Sequence, residues 1–372
     1  MTIARIQFLR SVKSSVVAKS IVHVEVILCS EFNDPISSLT SSKETPSFSA
    51  SLYLPSSTLS SSQPSPLLNA ELYSVFDVEI IKTTWIETSS SFALRLVLPD
   101  VDGRGCLKID LKDAKESDVV VLPVISGWIT LHRNQQDLAL PVLSCYRIFQ
   151  LSSSALVIKE EYGATLGSHL YDSSIVLLHY LETLYGGQKL EPGHAQQHIL
   201  EVGAGCGLIG IYFASLGHRV LVTDKKNQLS LLVENIAENG VQSTCSAVEF
   251  NWESTEQLTE AKKKMEDRID LIIACDVLYD KETAALFFEI SKNLATSTST
   301  STCTSICPGT SSSLKGTSSK VKVLLAQKMR RNNDIESKTQ TSTLVDVKVQ
   351  SGFTTVEHLL QESDVSLWML SM

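Results

Sequence analysis

No stretch of this sequence stays apolar for the roughly 18–20 residues that a membrane-spanning helix needs. The longest candidate, residues 119–129, is about half that length and contains Pro123, so the chain reads as non-spanning. Cysteine is sparse: 8 in 372 residues, irregularly spaced. That is not a disulfide framework, and it points to a reducing compartment. Only Cys303 and Cys307 lie close together, in a Ser/Thr tract without a nearby His, and they read as loop thiols rather than metal ligands. No metal site is expected. Basic charge is also short: 32 Lys and Arg stand against 41 Asp and Glu, a net charge of −9. Phosphate backbones are bound by concentrated Lys/Arg surfaces, so an obligate nucleic-acid partner is disfavoured.

The length exceeds one ordinary domain of about 100–200 residues. Residues 1–24 carry Arg5, Arg10, Lys13 and Lys19 with no acid before Glu25. This suits a mitochondrial transit peptide, and it suits a first strand equally well, since residues 21–28 continue as a strand-like apolar run. A cytoplasmic location is the expectation, with nuclear and mitochondrial ones as alternatives. Residues 37–66 are dominated by Ser, Thr and Pro and are expected to be disordered. Residues 67–144 contain short β-branched runs separated by turn signals, which makes 1–144 a β-rich extension.

From residue 145 the pattern becomes alternating strands and helices. Strands are expected at 198–202, 219–223, 246–250, 269–274, 321–326, 345–349 and 365–370. Helices are expected at 208–216, 228–239 and 282–294, with another capped by Asp172. This alternation implies a Rossmann-like, mostly parallel α/β sheet of seven strands with an antiparallel edge hairpin. The Ser/Thr-rich residues 296–319 are a low-complexity insertion into this second domain, 145–372.

Chemistry concentrates where strand 198–202 runs into the cluster Gly203-Ala204-Gly205-Cys206-Gly207. A strand, a glycine turn and a helix form the usual ligand crevice of an open α/β sheet. Asp224 ends the next strand, where a carboxylate can accept from both hydroxyls of a ribose. Gly205, Gly207 and Gly210 also satisfy the G-x-G-x-x-G dinucleotide pattern, the mark of a dehydrogenase. Against that reading, the strand ends at Val202, which makes Gly203 the turn glycine and puts Leu208 at the third fingerprint position. Glu201 also suits a cationic ligand better than a pyrophosphate.

The run Glu201-Val-Gly-Ala-Gly-Cys-Gly207 resembles motif I of the class I, seven-β-strand S-adenosylmethionine-dependent methyltransferases. Residues 163–182, Asn251-Trp252 and Asp276-Val-Leu-Tyr279 narrow the resemblance to methyltransferase family 16, many members of which modify protein lysines. It covers residues 145–372 and not the first 140. Two positions depart from the family pattern: Tyr171 stands where Trp is usual, and Cys275 where Ala is common. The resemblance implies S-adenosylmethionine as cofactor, held by Tyr171, Glu201, Gly203, Ala204, Gly205, Asp224, Trp252 and Cys275. Asp276 and Tyr279 would lie at the methyl-transfer end, as catalytic residues. A non-histone protein presenting a lysine, such as an elongation factor or chaperone, is the implied substrate. A small-molecule nitrogen acceptor and a degenerate interaction module remain as alternatives. Helix capping by Asp276 and simple packing by Trp252 are the plain structural readings of those two residues.

Overall fold

The computed structural model describes residues 2–8, 15–18, 20–29, 46–55, 73–86, 90–101, 103–112, 119–132, 144–161, 165–186, 195–296, 321–328, 353, 355–362 and 364–371. The chain divides into two compact units: residues 1–150 with 155–169, and residues 151–154 with 170–372.

The first unit is all β. Its strands are β1 (Thr2–Phe8), β2 (Ser15–Val17), β3 (Ile21–Cys29), β4 (Phe48–Pro55), β5 (Tyr73–Ile86) and β6 (Ser91–Val97). They continue with β7 (Gly103–Leu111), β8 (Val119–Leu122), β9 (Val124–Ser126), β10 (Ile129–His132), β11 (Ser144–Gln150) and β12 (Ala155–Glu161). Ten of them run in the order β12-β11-β9-β7-β4-β5-β6-β3-β1-β8, with β10 joining β7 to β2. The apolar run at residues 21–28 is thus a strand, β3, paired on both sides. Pro123, which cannot donate to a ladder, falls between β8 and β9. A buried ion pair, Arg147 Nε to Glu160 Oε2 at 2.7 Å, lies in the β11–β12 hairpin. The same guanidinium donates to the carbonyls of Ile6 and Pro123 at 2.7 and 2.9 Å. This buried charge is therefore solvated by protein oxygens.

One expectation changes here. Residues 48–55, inside the stretch read as disordered, form β4 in the middle of the sheet, between β5 and β7. Phe48, Ala50, Leu52 and Leu54 recur at every second position and are all buried, so the two-residue period outweighs the Ser/Pro-rich composition around it. The rest of 37–66 lies outside the described residues. The β11–β12 hairpin, which lies beyond the expected boundary at 145, groups with the first unit, since β11 pairs with β9 as well as with β12.

The second unit holds β13 (His198–Val202), β14 (Arg219–Asp224), β15 (Cys245–Glu249), β16 (Leu271–Cys275), β17 (Lys322–Lys328), β18 (Thr355–Glu362) and β19 (Val365–Ser371). Its helices are α1 (Asp172–Tyr185), α2 (Leu208–Ser215), α3 (Leu229–Glu238), α4 (Thr255–Lys264) and α5 (Lys281–Thr296). The sheet order is β15-β14-β13-β16-β17-β19-β18, or 3-2-1-4-5-7-6 when these strands are renumbered by sequence. The first five are mutually parallel. The last two form the expected antiparallel edge hairpin. Its outer strand is 355–362, while the expected strand at 345–349 lies outside the described residues, as does most of the 296–319 insertion.

Helix α2 is apolar on all sides because it packs against α1 as well as β13 and β14. Helix α4 was not foreseen. It starts at Ser254, whose hydroxyl accepts from Gln257 N, and ends in Lys262, Lys263 and Lys264, which suit the negative end of a helix dipole.

The placement of β4 predicts that Leu52→Ala will cost about 2–5 kcal/mol, the usual price of emptying a fully buried leucine site. Urea unfolding of the full chain measures this. An unchanged midpoint would remove residues 48–55 from the core.

Candidate active site at the strand carboxyl ends

Strand order reverses between β13 and β16, and both run parallel with β14 and β17. Their carboxyl ends therefore share one edge, the position where open α/β sheets bind ligands. Val202, Asp224, Cys275 and Lys328 end these four strands.

Beyond Val202 the chain turns at Gly203, with φ +66°, a left-handed conformation costly for a residue with a Cβ. A Cβ there would stand 3.0 Å from Val277 Cγ1 and 3.3 Å from Trp252 Cζ2. The glycine thus lets Trp252 and Val277 close on the loop. Ala204 N donates to Thr223 O at 3.0 Å, and Gly205 N donates to Asp224 Oδ2 at 2.8 Å. The other Asp224 oxygen accepts from Lys225 N at 2.7 Å. Burial pushes the Asp224 carboxyl upward, and these two amides oppose the shift. Two oxygens offer about four acceptor positions, so this half-buried group retains capacity for ligand hydroxyls. A carboxylate acceptor beside a glycine turn and an indole is a donor set that fits a ribose bearing an adenine.

Glu201 is turned inward. It is buried, and Oε2 accepts from Gly210 N in the first turn of α2 at 2.8 Å. A Cβ on Gly210 would stand 2.6 Å from that oxygen and would also collide with Val222, so the glycine permits the close approach. Burial raises the Glu201 pKa from 4.5 to about 8; the Gly210 amide opposes this and Asp224 adds to it. Burial likewise raises the Cys275 thiol, with Glu201 and Asp276 contributing.

Trp252 is partly buried and packs 6.0 Å from the Phe287 ring, so packing is part of its role. Gln257 of α4 accepts from Asn251 N at 2.6 Å, which pins the segment carrying the indole. Tyr171 precedes α1, and its carbonyl accepts from Ser174 N. Asp172 is the first helical residue rather than the cap, and its carboxylate pairs with Lys328 Nζ at 2.7 Å. That ammonium also lies 3.5 Å from Asp364, so the end of β17 ties α1 to the edge hairpin.

Asp276 has φ +54°, a left-handed conformation in a residue other than glycine, and strain of this kind gathers at functional sites. Its amide continues the ladder by donating to Ala326 O at 2.8 Å. Its carboxylate accepts from Gln327 Nε2 at 2.6 Å. Helix capping is carried by Asp280 instead, whose Oδ1 accepts from Thr283 N at 2.7 Å at the start of α5. Tyr279 is 55% exposed. Gln327 and Lys328 escaped the sequence reading. The signal was a polar pair closing an otherwise apolar central strand.

His179 is exposed, and His169 belongs to the first unit. The first part of the motif at residues 163–182, and the pair Cys303 and Cys307, lie outside the described residues. Among the described residues no group of three or more His, Cys, Asp or Glu could hold a metal ion, and no helix is long and apolar enough to cross a membrane.

The second unit is thus a seven-stranded, doubly wound fold with a glycine turn and carboxylates at the carboxyl edge of its sheet. Residues 150–308 match the family model described as lysine methyltransferase, so the family resemblance read from the sequence holds over that segment. Protein N-lysine methyltransferase METTL21A of Danio rerio is 30% identical over 34% of this chain and 55% of its own length. EEF1A lysine methyltransferase 3 of Xenopus tropicalis is 26% identical over 38% of this chain and 59% of its own. The chain therefore spans little more than half the length of these relatives. Among solved structures, the fibrillarin pre-rRNA processing protein of Methanococcus jannaschii is 13% identical with a TM-score of 0.36, over 72% of this chain and 93% of that one.

The inward Glu201 has a consequence for pH. Between about 4.5 and 8 the unfolded chain loses this proton while the folded chain keeps it, so folding stability falls as pH rises through that window. Glu201→Gln keeps an acceptor for Gly210 and cannot ionise. Melting curves of the ligand-free protein from pH 5 to 8 should show a smaller decline for the variant; parallel declines would contradict the buried, protonated carboxyl.

Proposed function

We propose that this protein is an S-adenosylmethionine-dependent methyltransferase acting on a lysine side chain of a protein substrate. The observation that carries this reading is the convergence of the Gly203 turn, Asp224 and Asp276 on one edge of the sheet, at its topological switch point. The family match over 150–308 and the lysine-methyltransferase names of the relatives support it. A non-histone acceptor such as an elongation factor or chaperone is the substrate class proposed, and a relative named for EEF1A supports the first. The cytoplasm is the compartment proposed, in keeping with sparse, irregular cysteines.

When bound, S-adenosylmethionine supplies a methyl group on a sulfonium, open to in-line displacement. Asp224 would hold the ribose hydroxyls, Gly203, Ala204 and Gly205 would bring backbone close to the ligand, and Trp252 would flank the adenine. Tyr171 would close the rim from the start of α1, and Cys275 would lie beneath the reacting end. Glu201 would serve the site from below, by fixing α2 to the end of β13. The lysine amine must arrive neutral, against a reference pKa of about 10.4, and a cleft that strips water from it favours loss of the proton. Asp276 would orient that amine, and the exposed Tyr279 would line its entrance. Positioning of this kind supplies much of the rate of such a displacement.

Two measurements test the reading. Calorimetry should show S-adenosylmethionine binding to the protein and at least tenfold weaker binding to Asp224→Ala. Incubation with labelled cofactor and cell extract should give a labelled protein band that disappears with Asp276→Ala. Equal binding by both forms would remove Asp224 from the cofactor site, and no binding at all, or label confined to small molecules, would overturn the protein-lysine reading.

A further inference from the structure

We infer that Gln327 is a positioning residue that sets the orientation of the Asp276 carboxylate; the inference rests on the proposed methyltransferase function. Gln327 is 1% exposed and is the penultimate residue of β17. Cys275 and Ala326 are register partners, so Gln327 stands one step beyond the ladder, beside Asp276. Its amide bridges two groups: Oε1 accepts from Leu278 N at 3.0 Å, and Nε2 donates to Asp276 Oδ1 at 2.6 Å. The same nitrogen lies 3.3 Å from Lys328 O.

Chemistry decides which way this amide faces. The Leu278 N–H can only donate, so it must meet the carbonyl oxygen of Gln327. The NH2 group is thereby turned toward Asp276, whose Oδ1 receives it. Gln327 is itself buried near the end of a strand whose Val323, Leu324, Leu325 and Ala326 are all buried, so an apolar residue would be the ordinary occupant. Burying an amide there is costly unless its hydrogen bonds are made, and here they are made to the left-handed turn at Asp276. One side chain thus holds both the backbone after the turn and the carboxylate on it, which fixes where Asp276 presents itself to an incoming amine.

Two variants separate positioning from structural support. Gln327→Met keeps the volume and removes both hydrogen bonds. Gln327→Glu keeps an acceptor for Leu278 N–H but sets a second carboxyl against Asp276, so the pair shares a proton at low pH and has no donor once both ionise. Each is assayed by the initial rate of labelled methyl transfer to the acceptor band in cell extract, at saturating S-adenosylmethionine, beside calorimetric cofactor binding and melting temperature. Both variants should lose at least tenfold in rate while cofactor affinity stays within twofold of the unsubstituted protein. Should Gln327→Met fail to fold, Gln327→Glu alone decides the matter. A Gln327→Glu protein whose rate is unchanged from pH 7 to 9 would overturn the inference, because the bond to Leu278 would then suffice without a lasting donor to Asp276. If the unsubstituted protein neither binds S-adenosylmethionine nor labels a band, the functional reading itself fails, and the inference falls with it.

Discussion

The parallel register of four central strands is the constraint on which the site depends. Val202 pairs with Thr223, Glu201 with Ile273 and Cys275 with Ala326, so β13, β14, β16 and β17 reach the same edge at nearly the same level. A slip of one residue in any of them would exchange the two faces of that strand and carry its terminal side chain off the edge. Register is secured by burial on both faces: Ile199, Leu200, Val222, Ile272, Ile273 and Leu325 are all fully enclosed. The terminal residues can therefore be polar, strained or both.

Each strand end uses that freedom differently. The end of β13 places Glu201 inward, where a single amide of α2 meets a carboxyl whose pKa burial raises. The end of β14 leaves Asp224 on the edge, held by two backbone amides. The end of β16 turns left-handed at Asp276, a conformation that costs on the order of 1–2 kcal/mol outside glycine. The end of β17 compensates: Ala326 accepts from the Asp276 amide, Gln327 holds the turn from two sides, and Lys328 fastens α1. Strain at one strand end is thus balanced by buried hydrogen bonds from its neighbour.

Much of the second unit was legible because its signals are short-range and apolar. Val202 as the end of β13 followed from the glycine after it, and Asp224 from an acid closing a hydrophobic run. Features that depend on partners distant in sequence were not legible. The inward turn of Glu201 requires knowing that Gly210 has no Cβ to block it. The role of Gln327 requires knowing that Asp276, 51 residues earlier, follows the end of the neighbour strand. The Asp280 cap was available from the Asp-x-x-Thr spacing before α5, and its presence releases Asp276 from that duty. In the first unit, composition concealed period: β4 alternates inward Phe48, Ala50, Leu52 and Leu54 within a Ser/Pro-rich stretch. The pairing of β11 with β9, which groups the β11–β12 hairpin with the first unit, leaves no local trace.

The central claim is that one sheet edge of the second unit binds the adenosyl cofactor. Hydrogen–deuterium exchange of the full chain, with and without S-adenosylmethionine, tests it most directly. Protection should gather in the segments around residues 203–207, 224–225, 251–252 and 275–279, with the strands of the first unit unchanged. Binding accompanied by protection only elsewhere would contradict the account.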